Sequence, residues 1–123
     1  MTPFGERVRQ LRRQRGVTLR RMAQDLAISA AYLSALEHGR RGRPSSGLVH
    51  QICTYFGLFW DDAEALERLA RLSHPRVMVD TTGLSAAKTE LANLLAERIR
   101  ELPDTDAAEL ITRLRRPRAP RRP

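Results

Sequence analysis

The chain has 123 residues, of which 41% are hydrophobic and 29% charged, so one compact unit with a small appendage is expected. No apolar run approaches the ~20 residues that a membrane span needs, and the first residues lack the apolar stretch of a secretory signal. The single cysteine, Cys53, cannot form an internal disulfide. We therefore expect a cytoplasmic protein without membrane association.

The net charge of +8 is unevenly distributed along the chain. Residues 1–45 contain ten arginines and three acids, residues 46–109 six basic and eleven acidic groups, and residues 110–123 six arginines and no acid. Basic segments on both sides of an acidic middle favour a surface that faces a polyanion. The alternative is a solvated surface in an arginine-rich protein, because 21 of the 22 basic residues are arginine.

Helix start and stop signals predict five helices before residue 72. Pro3 to Arg15 form the first helix, and Gly16 and Gly39 end the first and third. The other four helices begin at side chains that cap helix N-termini, which are Thr18, Ser29, Ser45 and Asp61, the last with Glu64 as a capping box.

The pattern changes after residue 72. Val77-Met78-Val79 alternates briefly before a turn sequence, which predicts a short strand. Ser85 begins a sixth helix that runs to Leu102, and a seventh follows Pro103 and ends near Leu114. The remaining residues are only Arg, Pro and Ala, so we expect a disordered tail.

Residues 16–39 contain two short helices joined by a tight turn, with Ser29 at the start of the second. This arrangement presents a helix to the DNA major groove, where its first turns reach the base edges. Basic residues beside such a helix fix its register on the phosphates.

Residues 4–58 resemble the lambda-repressor-like, Xre/Cro-type helix-turn-helix family. The features that match the family spacing without a gap are Arg7 to Arg12 with Leu11, Gly16-Val17-Thr18, Met22-Ala23, Ile28-Ser29, Leu33-Ser34, Glu37, Gly39 and Pro44-Ser45. The resemblance implies an all-α fold, with a five-helix DNA-binding domain over residues 1–72. Outside the resemblance, residues 73–114 are expected to add a short strand and C-terminal helices for dimerisation, and residues 115–123 a basic disordered tail.

The resemblance also implies roles for individual residues. Arg12 and Glu37 occupy the positions of a largely buried ion pair between the first and third helices. The residues implied to face the groove are Ser29, Ala30, Ala31, Tyr32 and Ala35. The residues implied to contact phosphate are Thr18, Arg20, Arg40, Arg41 and Arg43.

Three departures from the family pattern affect these roles. Leu19 stands where the family often has a glutamine that braces the recognition helix. Ala27 stands where glycine usually supplies a left-handed turn, so strain of order 1 kcal/mol is expected. The groove-facing alanines carry no hydrogen-bond donors, so base readout relies on Tyr32, Ser29 and methyl contacts, with DNA shape and dimer spacing adding specificity.

No catalytic, cofactor or metal site is expected, and the chain is not expected to be an enzyme. His38, His50 and His74 are widely spaced, and His50 near Cys53 is better explained as a surface histidine beside a packed thiol. No glycine-rich phosphate loop is present in the sequence.

The apolar residues after residue 76 are expected to mediate a homodimer, because little chain remains to cover them. They are Val77, Val79, Leu91, Leu94, Leu95, Ile99 and Leu102. Helices that fold back onto their own DNA-binding domain are the structural alternative.

The sequence therefore predicts a homodimeric, sequence-specific transcriptional regulator, a repressor, that places residues 29–38 in the major groove of double-stranded DNA. The competing function is an antitoxin or adaptor that binds a protein partner through residues 77–114 and autoregulates through DNA binding. A general RNA or nucleoid binder is a weaker alternative, because aromatic stacking platforms are missing from the sequence.

Overall fold

The computed structural model describes residues 1–117, which divide into two compact units, residues 1–77 and the residues from 78 onward. Within this part of the chain all regular structure is helical, which confirms the all-α class expected from the sequence. None of its helices is long and apolar enough to cross a membrane. The last six residues of the predicted basic tail, 118–123, lie outside the described residues.

The first unit consists of five helices. They are α1 (Pro3–Arg15), α2 (Leu19–Asp25), α3 (Ala30–Glu37), α4 (Ser46–Phe56) and α5 (Asp61–Arg71). The first four begin at hydroxyl side chains, each of which accepts a hydrogen bond from the backbone N–H three residues on; these are Thr2, Thr18, Ser29 and Ser45. Gly16 and Gly57 end α1 and α4 in the left-handed conformation.

One hydrophobic core holds these helices together. Helix α1 packs against α3 and α5, while α2 packs on α3 and α4 on α5. The largest side chains that they bury completely include Phe4, Met22, Leu33, Ile52 and Phe56. The guanidinium of Arg15 also donates to the backbone carbonyl of Phe56, so the end of α1 caps the end of α4.

The start of α5 differs from the sequence prediction. Asp61 is the first residue of the helix and not its cap, so the expected capping box with Glu64 does not form. The cap position belongs to Trp60, which has φ 52° and ψ −120° and makes no side-chain cap bond. The backbone N–H of Asp62 donates to the carbonyl of Phe59 at 3.2 Å, which closes a tight turn ahead of the helix.

The second unit contains α6 (Ala86–Arg98) and α7 (Asp104–Leu114). Ser85 caps α6 by accepting from the N–H of Lys88, as its position in the sequence predicts. Neither helix buries a side chain.

The short strand expected at Val77 and Val79 is a wrong prediction. Residues 77–80 lie in neither helix nor strand, and no described residue makes a backbone hydrogen bond with the segment 77–79. A strand requires a second strand to satisfy its backbone groups. The alternating pattern of Val77-Met78-Val79 was therefore not enough to predict a strand.

Candidate nucleic-acid interface

The turn between α2 and α3 sets the angle between these two helices. Ala27 adopts a left-handed conformation, with φ 57°. Two backbone hydrogen bonds close the turn: the N–H of Ala27 donates to the carbonyl of Gln24 at 3.1 Å, and the N–H of Ile28 donates to the carbonyl of Ala23 at 3.0 Å. These bonds hold the alanine in a backbone region that favours glycine.

Helix α3 has one side in the core and one side exposed. Leu33 and Leu36 are buried at 0% and 2% exposure. Ser29, Ala31 and Tyr32 are exposed, and Tyr32 retains 37% of its surface. The structure thus exposes one hydroxyl, one methyl group and one aromatic ring on this side of α3.

Two of the alanines expected to face the groove are only partly exposed. Ala30 and Ala35 are half-buried, and Ala30 packs against the hydrophobic core. Among the residues expected to face the groove, Tyr32 is the largest, and it is exposed.

Arg12 and Glu37 form a buried ion pair between α1 and α3. One terminal nitrogen of Arg12 lies 2.6 Å and 2.8 Å from the two carboxylate oxygens of Glu37. The two residues are 8% and 1% exposed. Because both charges are shielded from water, each is compensated by the other. The pair therefore fixes the C-terminal end of α3 on α1.

The amino end of the chain contacts the same point on α3. The backbone N–H of Thr2 donates to the carbonyl of Glu37 at 2.9 Å, and its hydroxyl donates to the same oxygen at 3.2 Å. Sequence reasoning missed this contact, although a threonine directly before Pro3 is itself a helix-start signal.

Helix α2 presents basic and polar groups beside α3. Thr18 and Arg20 are exposed at its start, and Leu19 packs against the core, so a hydrophobic contact replaces the glutamine typical of the resembled family. Arg21 contacts Asp25 at 3.2 Å.

A tyrosine of α4 holds α2 in place through a contact that no local pattern in the sequence predicts. The phenol of Tyr55 donates to Asp25 Oδ2 at 2.7 Å. Partial burial, followed by the hydrogen bond to this carboxylate and its charge, raises the pKa of Tyr55 above its usual value. The phenol therefore stays protonated and keeps its donor at neutral pH.

The loop after α3 supplies the arginines. Arg40, Arg41 and Arg43 are all exposed, and Arg43 lies with Tyr32 on the wall of one cleft of about 610 Å³. The structure thus brings the aromatic residue of α3 and part of the basic loop to one surface of the first unit.

Other candidate chemistry is not assembled in the described residues. Cys53 is buried in α4, and burial, with a smaller contribution from the charge of Glu67, raises the pKa of its thiol. The thiol is therefore a core group rather than an activated nucleophile. No group of three or more His, Cys, Asp or Glu is positioned to hold a metal within residues 1–117.

Comparison with known families agrees with this geometry. Residues 3–69 match the family described as "Helix-turn-helix domain", a region that runs from the first residue of α1 into α5. The chain belongs to this family.

Two curated relatives, both from Bacillus subtilis (strain 168), match part of the chain. One is 38% identical over 52 residues, 42% of this chain and 37% of the relative, and is named "Uncharacterized HTH-type transcriptional regulator RghRB". The other is 36% identical over 52 residues, 42% of this chain and 38% of the relative, and is named "HTH-type transcriptional repressor RghR". The match thus spans less than two-fifths of either relative. No solved structure gives a significant match.

Proposed function

We propose that this helix-turn-helix protein is a sequence-specific transcriptional regulator, a repressor, that inserts α3 into the major groove of double-stranded DNA as a homodimer. The observation that carries the proposal is the orientation of α3. Its buried side is fixed to α1 through the Arg12–Glu37 pair, and its exposed side presents Tyr32 to a cleft that Arg43 also lines. A rigidly held helix with arginines beside it suits base readout combined with phosphate anchoring.

The proposed phosphate contacts are exposed cations. Arg20, Arg40, Arg41 and Arg43 make no ion pair with any residue in the described part of the chain, so their charge is available to a polyanion. The N–H groups of Leu19 and Arg20, which the Thr18 cap does not engage, would add a further phosphate contact.

The homodimer is proposed from the second unit and from the segment before it. Val77, Val79, Leu91, Leu94, Leu95 and Ile99 are all between 41% and 74% exposed, whereas Leu102 is half-buried. Because these leucines are already about half covered, burying the rest of each in a partner would contribute roughly half of the 1.5–3 kcal/mol that a fully exposed leucine gives. The repressor role is proposed from the relative that carries this word in its name.

Selection of bound sequences from random duplex DNA, followed by fluorescence anisotropy, tests the base readout. We expect Tyr32→Ala to weaken binding to the selected site by roughly 1–3 kcal/mol and to leave binding to scrambled DNA almost unchanged. An equal loss on both DNAs would contradict the assignment of Tyr32 to base readout.

The basic loop is tested by salt dependence. Replacing Arg40, Arg41 and Arg43 by alanine is expected to lower the slope of log K against log salt by about 0.9 for each lost contact. The matched control replaces three arginines of α1 that line a different cleft, Arg7, Arg9 and Arg13. Equal slopes for the two triple variants would show that net charge, and not the loop, carries the effect.

A further inference from the structure

The two helices of the second unit leave most of their side-chain surface exposed in the described part of the chain. Helix α6 has 13 residues and α7 has 11, and neither buries a side chain. Helices of this length are marginal in water without tertiary contacts. Their stability therefore requires contacts that the helices themselves do not supply.

Helix α7 has a clear apolar side. Ala107, Leu110, Ile111 and Leu114 follow the spacing i, i+3, i+4 and i+7, which places them along one face. Leu110, Ile111 and Leu114 are 40%, 47% and 82% exposed.

Opposite charges border this apolar face on both edges. At about 100° per residue, Asp106 and Arg113 lie along one edge of the face, and Asp104 and Arg115 lie along the other. All four are exposed, and none forms an ion pair with a residue among 1–117. On each edge the acid is near the start of the helix and the arginine near its end.

We infer that α7 pairs antiparallel with α7 of a second copy of this chain, an inference that rests on the proposed homodimer. A two-fold axis between Glu109 and Leu110 would bring Asp106 opposite Arg113 of the second copy. The same axis would bring Asp104 opposite Arg115 of the second copy. One register therefore satisfies both edges while the apolar faces meet.

The parallel arrangement is disfavoured by the same charges. A two-fold axis along the helices would exchange the two edges, so that Asp106 meets Asp104 of the second copy. At the other end, Arg113 would meet Arg115 of the second copy. Like charges in these positions are destabilising, so the charge pattern selects the antiparallel orientation.

Sedimentation equilibrium of the full chain tests the pairing with two single charge reversals, Asp106→Arg and Arg113→Asp. Each variant alone replaces two attractive contacts in the dimer with two repulsive ones, so we expect its dimer dissociation constant to rise about tenfold. An equimolar mixture of the two variants restores both contacts in the heterodimer, so its association is expected to return to the wild-type level. The helix dipole cannot produce this restoration, because it acts within one chain.

The matched control is Glu109→Arg, which makes the same charge change as Asp106→Arg on the side of α7 away from the apolar face. We expect its dissociation constant to stay near that of the wild type. Circular dichroism of each variant checks that the helices persist.

The outcomes separate this inference from the homodimer on which it rests. Weakening by both single reversals with restoration in the mixture supports antiparallel α7 pairing. A wild-type dimer whose mixture of variants does not re-associate overturns the pairing and leaves the homodimer standing. A wild-type chain that is monomeric at micromolar concentration overturns both.

Discussion

Gly5 lies where α1 passes close to the backbone of α3. A Cβ atom at this position would lie 2.7 Å from both the Cα and the carbonyl carbon of Glu37, and closer still to the carbonyl oxygen. These are backbone atoms of α3, which cannot rotate away as a side chain would. We predict that Gly5→Ala forces α1 and α3 apart.

The size of the effect follows from two opposing contributions. Alanine in place of a helical glycine favours the helix by about 0.5–1 kcal/mol. Relief of the overlap requires a backbone shift of about 1 Å, because carbon atoms pack at roughly 3.5–4.0 Å, and overpacking of this kind costs about 1–3 kcal/mol or more. The shift would also strain the contacts of Arg12 and Thr2 with Glu37. After the helix gain is subtracted, we expect a net loss of roughly 1–2 kcal/mol in the free energy of unfolding.

Urea denaturation followed by circular dichroism measures this loss. The control is Gly47→Ala in α4, where a new Cβ would meet no atom within 4 Å. Only the helix preference acts at that site, so the control is expected to gain about 0.5–1 kcal/mol. A Gly5→Ala variant as stable as the wild type would refute the argument that α1 and α3 approach too closely at this position to admit a side chain.

Two further predictions concern the turn and the tyrosine that hold α2. Ala27→Gly relieves the left-handed strain at an exposed residue and is expected to raise the free energy of unfolding by about 0.5–1 kcal/mol. The control, Ala65→Gly on the exposed side of α5, is expected to lower it by about 1 kcal/mol. A loss of stability for Ala27→Gly would contradict the strain argument. The raised pKa of Tyr55 means that its contact with Asp25 is fully present below the unfolded tyrosine pKa of about 10 and is lost as the pH rises through the folded value. Urea denaturation at about pH 8 and pH 11 should therefore show that the wild type is more stable than Tyr55→Phe at the lower pH and loses this difference in the free energy of unfolding at the higher pH. An equal difference at both pH values would contradict a stabilising role for the Tyr55–Asp25 contact.

Much of the first unit could be predicted from the sequence because its signals are local. Thr18, Ser29 and Ser45 mark helix starts through a bond that each makes to a backbone group three residues away. The all-α class followed from such signals together with the resemblance to a helix-turn-helix family. The left-handed conformation at Ala27 could be anticipated only through family resemblance, since alanine itself does not favour it.

Predictions failed where the outcome depends on another segment. Val77 and Val79 alternate like a strand, but a strand forms only where a second one offers matching backbone groups. Asp61 resembles a cap, but the turn through Phe59 and Trp60 starts the helix one residue earlier than that role requires.

The candidate site divides in the same way. The basic loop can be predicted from charge, because Arg40, Arg41 and Arg43 lie next to one another in the sequence. The phenol of Tyr55 on Asp25 cannot, since it joins residues 30 positions apart through a hydrogen bond between side chains. Helical periodicity distinguishes the exposed Tyr32 from the buried Leu33, yet it did not reveal that Ala30 rests partly on the core.

The distribution of burial has a consequence for how this protein diverges. Every buried side chain among residues 1–117 lies in the first unit, at or before Ser73. Substitutions from residue 78 onward therefore disturb no fully buried side chain, and they cost the fold less than substitutions in the first unit do. Such a segment can change its sequence, and with it its choice of partner, while the domain that matches its family over residues 3–69 keeps its fold.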